Sequence, residues 1–315
     1  METERVEIKG KQLLIRRFAK TMIPQFQELF AASFGKSISA EFLLNKYDTA
    51  KLGGSYIGHM AFHNEKPVAY YGVLPIPFVL DGKKLTAVQS ADTMTHPNYR
   101  RHGLFPLLAR KTYQLAKDEG ASFVFGWPNQ NSFPSFKNKL DWIELGNMQR
   151  FSLKVSTLPL AKVFFKLQFL RPFYLTTTRS ILHADSPTKV ETVTTNNCAI
   201  RNTDYLEYKK TLSVFSIPSD FGNLPASIDY RLNIGYLTEL QTKHFSEILS
   251  RLKRSCAISG IDEIQFTISP NSPLAAVLIK AGMKSTDGLP LMYWPFSDAI
   301  KIETLNLTSF DYDGF

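Results

Sequence analysis

Residues 92–105 read DTMTHPNYRRHGLF, a strand-like end that leads through a basic turn toward a helix. Apolar residues recur at helical spacing over Leu104–Lys117, and Gly120 closes this run. The first amides of a helix have no partner within the helix, and the helix dipole leaves partial positive charge there. Gly103 permits a close approach to the backbone because it has no Cβ. Residues 100–105 are therefore suited to bind an anion such as a pyrophosphate, and a plain strand-to-helix turn with a glycine is the alternative that these residues alone favour.

The elements around this turn follow from hydrophobic periodicity and turn residues. One strand and two helices precede three strands, and a strand, a short helix and a last strand follow the helix after the turn. Ser39 is the predicted N-cap of the second helix. The other predicted ranges are Leu13–Phe18, Pro24–Phe34, Tyr56–His63, Val68–Leu80, Leu85–Thr95, Leu104–Lys117, Ser122–Trp127, Ser132–Leu140 and Ile143–Val155. This order indicates an α/β (α+β) fold with a mixed sheet.

A weak internal repeat relates the two halves of the chain. A shift of 141 positions places Phe125 on Phe266 and Arg110 on Arg251, and it aligns apolar positions over three elements without a gap. We interpret this as a duplication of one fold. The counterpart of the basic turn, residues 241–246, contains no glycine. An anion-binding turn is therefore predicted in the first copy alone.

The repeat sets the predicted domain limits at residues 1–155 and 199–315, with a connecting helix and linker at 156–198. The segment Leu158–Leu175 is apolar and carries three cations. Such a segment could lie in a membrane interface. It could also be a connecting helix that packs between two domains while its lysines reach outward, and this second interpretation is favoured.

Several motifs in and around the basic turn resemble those of the GNAT N-acetyltransferases. Arg100 and Gly103 match the family's acetyl-CoA loop, Gln/Arg-x-x-Gly-x-Gly/Ala, whereas Phe105 stands at the final small position. The His-Pro-x-Tyr-Arg approach, the Phe-Gly strand and the Asn-x-Asn-Ser turn are also similar to that family. The resemblance covers about residues 11–155 and, with the repeat, implies two tandem copies of the GNAT acyl-CoA N-acyltransferase fold.

The resemblance also implies acetyl-CoA as the acyl donor and suggests which residues bind it. Backbone groups of Met94, Thr95 and His96 would hold the pantetheine arm. The pyrophosphate would lie on the loop and on the first turn of the helix. The residues implied there are Arg100, Arg101, His102, Gly103, Leu104 and Phe105.

Candidate catalytic groups are fewer. Transfer of an acyl group to an amine needs a base for the ammonium proton, and an acid can protonate the departing thiolate. Asp92 lies where many family members carry a carboxylate base, although a paired strand carboxylate would look the same. The family's usual tyrosine acid is missing, since the helix after Ser122–Trp127 offers Phe133 and Phe136. Asn131 is a candidate to hydrogen-bond the thiolate, or else a helix cap.

The end of the chain supplies a further candidate. The last residues, TSFDYDGF, are aromatic and acidic. They are similar to the ending of multi-domain GNAT proteins of the enhanced-intracellular-survival type, in which the C-terminal carboxylate acts as a base. The carboxylate of Phe315 is therefore a candidate base, and a packed terminus is the alternative.

Composition limits the classes of function. The chain has 37 Lys and Arg against 28 Asp and Glu, but its cations are spread out and no nucleic-acid arm is present, so no nucleic-acid partner is expected. Two cysteines and six spread histidines predict no disulfide framework and no metal site. The polar start and the lack of a long apolar run predict a cytoplasmic protein.

The predicted function is N-acetylation of a primary amine of a small molecule, with an amino sugar as one candidate acceptor. Two alternatives stay open. A Fem-type aminoacyltransferase also pairs two GNAT-like domains, although the CoA-type loop argues against it. A degenerate GNAT protein that binds a ligand without turnover would explain Phe105 and the missing tyrosine.

Overall fold

The computed structural model describes residues 3–184, 197–212 and 214–313, and within them the chain forms two compact units. Unit 1 comprises residues 1–145 and 290–303, and unit 2 comprises residues 146–289 and 304–315. The predicted domains are continuous in sequence, whereas each compact unit includes a segment from another part of the chain. The reason is that the boundary between the units falls within the strand that follows the short helix of each repeat.

Unit 1 is a mostly antiparallel sheet with helices on both faces. Its strands from the N-terminal part of the chain are β1 (Thr3–Ile8), β2 (Lys11–Arg17), β3 (Gly58–His63), β4 (Lys66–Leu80), β5 (Lys83–Thr95) and β6 (Ala121–Gly126). Its helices are α1 (Ile23–Phe34), α2 (Ala40–Tyr47), α3 (Leu104–Asp118) and α4 (Phe133–Lys139). Neighbouring strands from β1 to β5 pair in antiparallel order, and β5 pairs with β6 in parallel.

Most of the predicted elements of unit 1 are present. Ser39 is the N-cap of α2, and its side chain accepts from the amide of Phe42 at 3.1 Å. The strand β1 was not predicted, because its side chains are mostly exposed and it lacks a clear apolar alternation. It owes its place to pairing with β2, a non-local contact that periodicity does not report.

The boundaries of the two units fall within the strands β7 (Ile143–Lys154) and β13 (Lys284–Pro295). In unit 1, residues 292–295 of β13 pair in antiparallel order with β6. In unit 2, residues 149–154 of β7 pair in antiparallel order with β12 (Glu263–Ile268). Phe151 is buried there among the core side chains of unit 2. The strand predicted to complete the first domain therefore lies mainly in unit 2.

Unit 2 has a sheet of similar type. Besides β7, β12 and β13 its elements are α5 (Leu160–Lys166), α6 (Arg171–Ile181), β8 (Cys198–Ala199), α7 (Thr203–Thr211), β9 (Phe215–Ile217), β10 (Leu224–Ile228), β11 (Leu232–Ile234), α8 (Glu239–Lys243), α9 (Phe245–Ser259) and α10 (Leu274–Lys280). The strands β11 and β12 pair in parallel, as β5 and β6 do in unit 1.

The internal repeat has a structural counterpart. Helices α3 and α9 both contain 15 residues, α4 and α10 both contain 7, and β7 and β13 both contain 12. In each pair the second element begins 141 positions after the first. This agreement of lengths and spacing is what a duplicated unit predicts.

Candidate active site

The strand β5 changes its pairing at a bulge around Asp92. Tyr70 of β4 pairs with Met94 and Gly72 pairs with Ala91, so two residues of β5 lie opposite one residue of β4. Asp92 has a φ of 47°, a left-handed conformation that is uncommon for a residue with a side chain. A bulge bends its strand and re-aims the side chain at that position, and bulges are frequent beside active sites.

The strand β5 leaves β6 just before this bulge. Their parallel pairing extends only over Thr86–Gln89 of β5 among the residues that the structure describes. In the last part of β5 the amide of His96 donates to Val68 O of β4 at 2.9 Å, and Met94 pairs with Tyr70. Because backbone groups alternate along a strand, the amide of the intervening Thr95 points away from β4. Of the three residues predicted to hold pantetheine, Thr95 is thus the best placed.

The turn into α3 has two left-handed residues. Arg101 has a φ of 63° and Gly103, the N-cap of α3, has a φ of 78°. A Cβ added at Gly103 would meet no atom within 4 Å, so the conformation and not crowding inside the fold favours glycine there. No side chain caps this helix end. The amides of Leu104 and Phe105 are consequently open to an anion.

The two predicted arginines differ in their contacts. Arg100 donates from Nε to Thr95 O at 3.4 Å and from Nη2 to Ser33 O at 3.3 Å, which ties the turn to β5 and α1. The ring of His102 lies 2.8 Å from Arg100 O. Arg101 is exposed. Arg101 is therefore the freer source of positive charge, while Arg100 shapes the turn.

The side chain of Phe105 packs inward. Its ring lies 5.1 Å from the ring of Phe136 and 5.7 Å from that of Tyr71, measured between centroids. The bulky residue at the family's small position thus contributes to the core, and its ring does not cover the helix end. This contact removes one of the two sequence features that suggested a degenerate site.

Two cations beside the turn, Lys9 and Lys11, were not predicted from the sequence. Lys9 lies in the tight turn between β1 and β2, where Lys9 and Gly10 have φ values of 51° and 73°. Its Nζ donates to Arg101 O at 3.3 Å, and Lys11 lies 4.4 Å from the centre of the Tyr99 ring. Lys9 is 92 positions from Arg101 in sequence, and the pairing of β1 with β2 places both lysines here. Together with Arg101 they give this edge a positive potential.

Asp92 is bonded to two residues at the end of α2. Lys46 Nζ lies 2.7 Å from Asp92 Oδ2, and Tyr47 Oη donates to the same oxygen at 2.7 Å. The side chains of Lys46 and Asp92 are 5% and 17% exposed. Burial, and then the charge of Asp92, raise the pKa of Tyr47 well above its usual value, so that Tyr47 stays a donor at neutral pH. The candidate base is thus a fixed, ion-paired carboxylate that keeps limited access to solvent.

Asn129 holds the turn between β6 and α4. Its Oδ1 accepts from the amides of Asn131 and Ser132 at 3.0 and 3.1 Å. The N-cap of α4 is Ser132, and no side chain caps this helix. The side chain of Asn131 is exposed, so its alternative role as a cap is wrong, while its predicted role toward a thiolate stays a prediction.

The helix α4 carries no tyrosine, but Tyr71 on β4 and Tyr113 on α3 form a buried hydrogen-bonded network. Tyr71 Oη lies 2.8 Å from Ser90 Oγ and 2.9 Å from Tyr113 Oη, and Trp142 Nε1 donates to Tyr113 Oη at 3.1 Å. Burial raises the pKa of both tyrosines. Ser90 lies on β5 where this strand leaves β6, so the network supports the strand at the point of separation.

The remaining predictions concern the chain end and metals. Phe315 lies outside the described residues, so its role as a base stays a prediction. Among residues 3–184, 197–212 and 214–313, no three His, Cys, Asp or Glu side chains form a group suited to a metal ion. In the same residues, no helix combines the length and apolar character needed to cross a bilayer.

Comparison with known proteins decides the family. A family model described as an acetyltransferase (GNAT) domain matches residues 14–143, which include the bulge, the turn and α3. The chain carries a GNAT domain. The predicted family and the mixed-sheet GNAT fold are confirmed, and the length of 315 residues is consistent with two GNAT copies. No curated protein sequence matches the chain.

Solved structures share the fold at low sequence identity. A GCN5-related N-acetyltransferase from Kribbella flavida has a TM-score of 0.56 at 14% identity, with 90% of this chain and 71% of that chain covered. A probable N-acyltransferase from Enterococcus faecalis V583 has a TM-score of 0.58 at 13% identity, with coverage of 90% and 72%. A GCN5-related N-acetyltransferase from Anabaena variabilis gives 0.56 at 13%, with 89% and 72%. These GNAT similarities concern the fold.

Proposed function

We propose that this GNAT protein transfers an acetyl group from acetyl-CoA to a primary amine of a small molecule in the cytoplasm. The observation that carries the proposal is the separation of β5 from β6 after Gln89, next to the Asp92 bulge, on the strand that leads to the uncapped start of α3. Such an arrangement offers backbone hydrogen bonds to an extended pantetheine and amides to its pyrophosphate. An amino sugar is one acceptor that fits this class.

Each part of acetyl-CoA has a candidate partner in unit 1. The Thr95 amide would hydrogen-bond the pantetheine arm. The amides of Leu104 and Phe105 would contact the pyrophosphate, with Arg101 and Lys9 adding charge at the same edge. Because Gly103 has no side chain, a phosphate could approach these amides closely.

The chemistry asks little more of the protein than position and one base. The neutral amine attacks the thioester carbonyl carbon, the new C–N bond forms, and the C–S bond breaks with its electron pair going to sulfur. Asp92 would take the proton that the ammonium must lose, while Lys46 and Tyr47 hold the carboxylate in place. A thiol is a far stronger acid than an alcohol, which makes a thiolate an acceptable leaving group, so a dedicated acid is not required.

A turnover assay on an Asp92→Asn variant tests this assignment. CoA release from acetyl-CoA is measured with a panel of primary amines that includes amino sugars, and calorimetry measures acetyl-CoA affinity. We expect kcat to fall at least about 100-fold with the affinity kept, because the amide cannot accept the proton. Asp118→Asn, on the exposed end of α3, removes the same charge and should leave kcat unchanged.

Two outcomes would overturn parts of the proposal. Full turnover by Asp92→Asn, with a melting temperature like that of the native chain, would place the base elsewhere. Tight binding of acetyl-CoA by the native chain without turnover on any amine would favour the non-catalytic alternative.

A further inference from the structure

The helices α5 and α6 form a hairpin on the surface of unit 2, and one side of it is firmly attached. The amide of Ala161 donates to Gly260 O at 3.0 Å, and Tyr174 Oη donates to Ser259 O at 2.9 Å. A Cβ added at Gly260 would lie 2.5 Å from the Cβ of Leu160, so the backbones are in close contact. Ala161, Tyr174 and Leu182 are buried in the core of unit 2. The hairpin is therefore a fixed part of this unit.

The other side of the hairpin exposes large apolar side chains. Among the described residues, half of the twelve exposed large hydrophobic side chains fall between 158 and 173. They are Leu158 (74% exposed), Leu160 (42%), Val163 (50%), Leu167 (41%), Phe169 (77%) and Phe173 (72%). Leu160, Val163 and Leu167 are spaced as one face of a helix. The segment Leu158–Leu175, predicted as one connecting helix, contains the two helices α5 and α6, and its apolar side chains are only partly buried.

The same segment carries only positive charge. Residues 158–184 contain Lys162, Lys166, Arg171 and Arg179 and no acidic residue. Lys162 pairs with Asp262 at 2.5 Å, and the Arg171 guanidinium lies 4.5 Å from the centre of the Phe165 ring. Lys166 and Arg171 are exposed beside the apolar side chains. Their long stems allow the charges to rise above a buried apolar layer.

We propose that this hairpin surface, defined by Leu158, Leu160, Val163, Leu167, Phe169 and Phe173 with Lys166 and Arg171, docks on an anionic lipid membrane. Exposed apolar clusters of this kind mark interaction sites. Apolar side chains enter the boundary of headgroups and acyl chains, and flanking cations attract anionic lipid. The charge complementarity identifies a lipid surface as the occupant, and the proposal does not depend on acyl transfer.

Phe169 and Phe173 carry the largest part of this surface. Phe169 lies in the turn between the two helices, and Phe173 lies on the first turn of α6. Both rings are largely exposed, whereas Ala161 and Tyr174 on the flanking helices are buried. These two rings would insert, with Lys166 and Arg171 at the level of the headgroups.

Vesicle sedimentation tests the proposal with the full chain. Phosphatidylcholine vesicles with and without phosphatidylglycerol are compared for the native chain and a Phe169→Ser/Phe173→Ser variant. We expect binding to the anionic vesicles, and at least a tenfold loss of partitioning in the variant. A Leu240→Ser/Ile279→Ser variant removes two other exposed apolar side chains and should bind like the native chain.

The charge contribution is tested separately. A Lys166→Gln/Arg171→Gln variant should bind anionic vesicles about tenfold or more weakly than the native chain and lose its dependence on salt. Failure of the native chain to bind anionic vesicles overturns the proposal, and so does equal binding by the Phe169→Ser/Phe173→Ser variant. A native dimer in solution that this variant converts to a monomer would identify a second copy of the chain as the occupant instead.

Discussion

The helices α3 and α9 hold the same place in the two repeats, yet they begin in different ways. Gly103 starts α3 in a left-handed conformation, no side chain caps it, and Lys9 and Arg101 stand beside it. At the start of α9 the N-cap is His244, whose ring stacks on Phe221 at 4.0 Å, and Glu247 brings negative charge into the first turn. No side chain caps either helix end, but the first follows a glycine turn beside two cations, whereas the second follows the end of α8 directly and carries an acidic residue.

The helix that precedes α9 accounts for the difference between the two helix starts. Thr238 and Gln241 form a capping box at the start of α8, which runs directly into His244. The residues after β5 form instead a single 3-10 turn at Pro97–Tyr99 and then the basic turn. The comparison teaches that the glycine turn and the neighbouring cations, and not a helix start alone, distinguish the proposed anion site of α3 from the start of α9.

The largest expected effect is at Gly103. Gly103→Val should lower acetyl-CoA affinity at least about 100-fold, because the branched side chain would stand where a phosphate approaches the amides. Gly120→Val is the matched control, since Gly120 also has a positive φ and no atom within 4 Å of an added Cβ. Both variants carry similar backbone strain, but the control should bind within about threefold of the native chain. Equal losses in calorimetry would mean that strain, not site geometry, governs binding.

The middle of α3 provides a second difference between the repeats. His59 Nδ1 lies 3.1 Å from Thr112 Oγ1 on α3, whereas the position equivalent to Thr112 in α9 is the exposed Lys253. Burial, followed by the charges of Lys111 and Arg17, lowers the pKa of His59 to about 4. The unfolded chain therefore binds the proton first as the pH falls below about 6.5.

This linkage predicts a pH-dependent loss of stability. The free energy of unfolding should fall by up to about 2 kcal/mol between pH 6.5 and 4 through His59 alone. Urea unfolding of His59→Gln, compared with the native chain at both pH values, should show a difference that shrinks toward low pH. His183→Gln removes an exposed histidine and should follow the native profile. A native-like profile in His59→Gln would assign the loss to other groups.

The smallest effect concerns the cations at the open helix end. Arg101→Gln and Lys9→Gln should each weaken acetyl-CoA binding about threefold at low salt, since both charges are exposed and screened. The difference should diminish in added salt. Lys243→Gln, next to the start of α9, is the control and should have no effect. An equal effect of Lys243→Gln would move part of the binding to unit 2.

The sequence predicts those parts of the fold that depend on local signals. The glycine before α3, the Ser39 cap and the 141-residue spacing are all visible as residue types or periods. The bulge at Asp92 is not, because no glycine marks it and its conformation comes from pairing with β4. The pairing of β7 with β12 and of β13 with β6 likewise joins strands that are distant in sequence.

The candidate site divides in the same way. The loop residues could be identified from a motif, but Lys46 and Tyr47 could not, because only the packing of α2 brings them to Asp92. Lys9 could not be identified either, since it lies in the turn of a strand pair whose first member has little apolar pattern. Motifs show which backbone is available to a ligand, whereas the partners of a charged side chain depend on the folded chain.

The stoichiometry of acetyl-CoA binding tests the comparison most directly. Calorimetric titration of the native chain should give one site per chain, because α3 begins after a glycine turn beside cations and α9 does not. Two equivalent sites per chain would contradict the account, since α9 would then bind the same ligand although it follows α8 directly and carries Glu247. A chain that takes up no acetyl-CoA would contradict it as well.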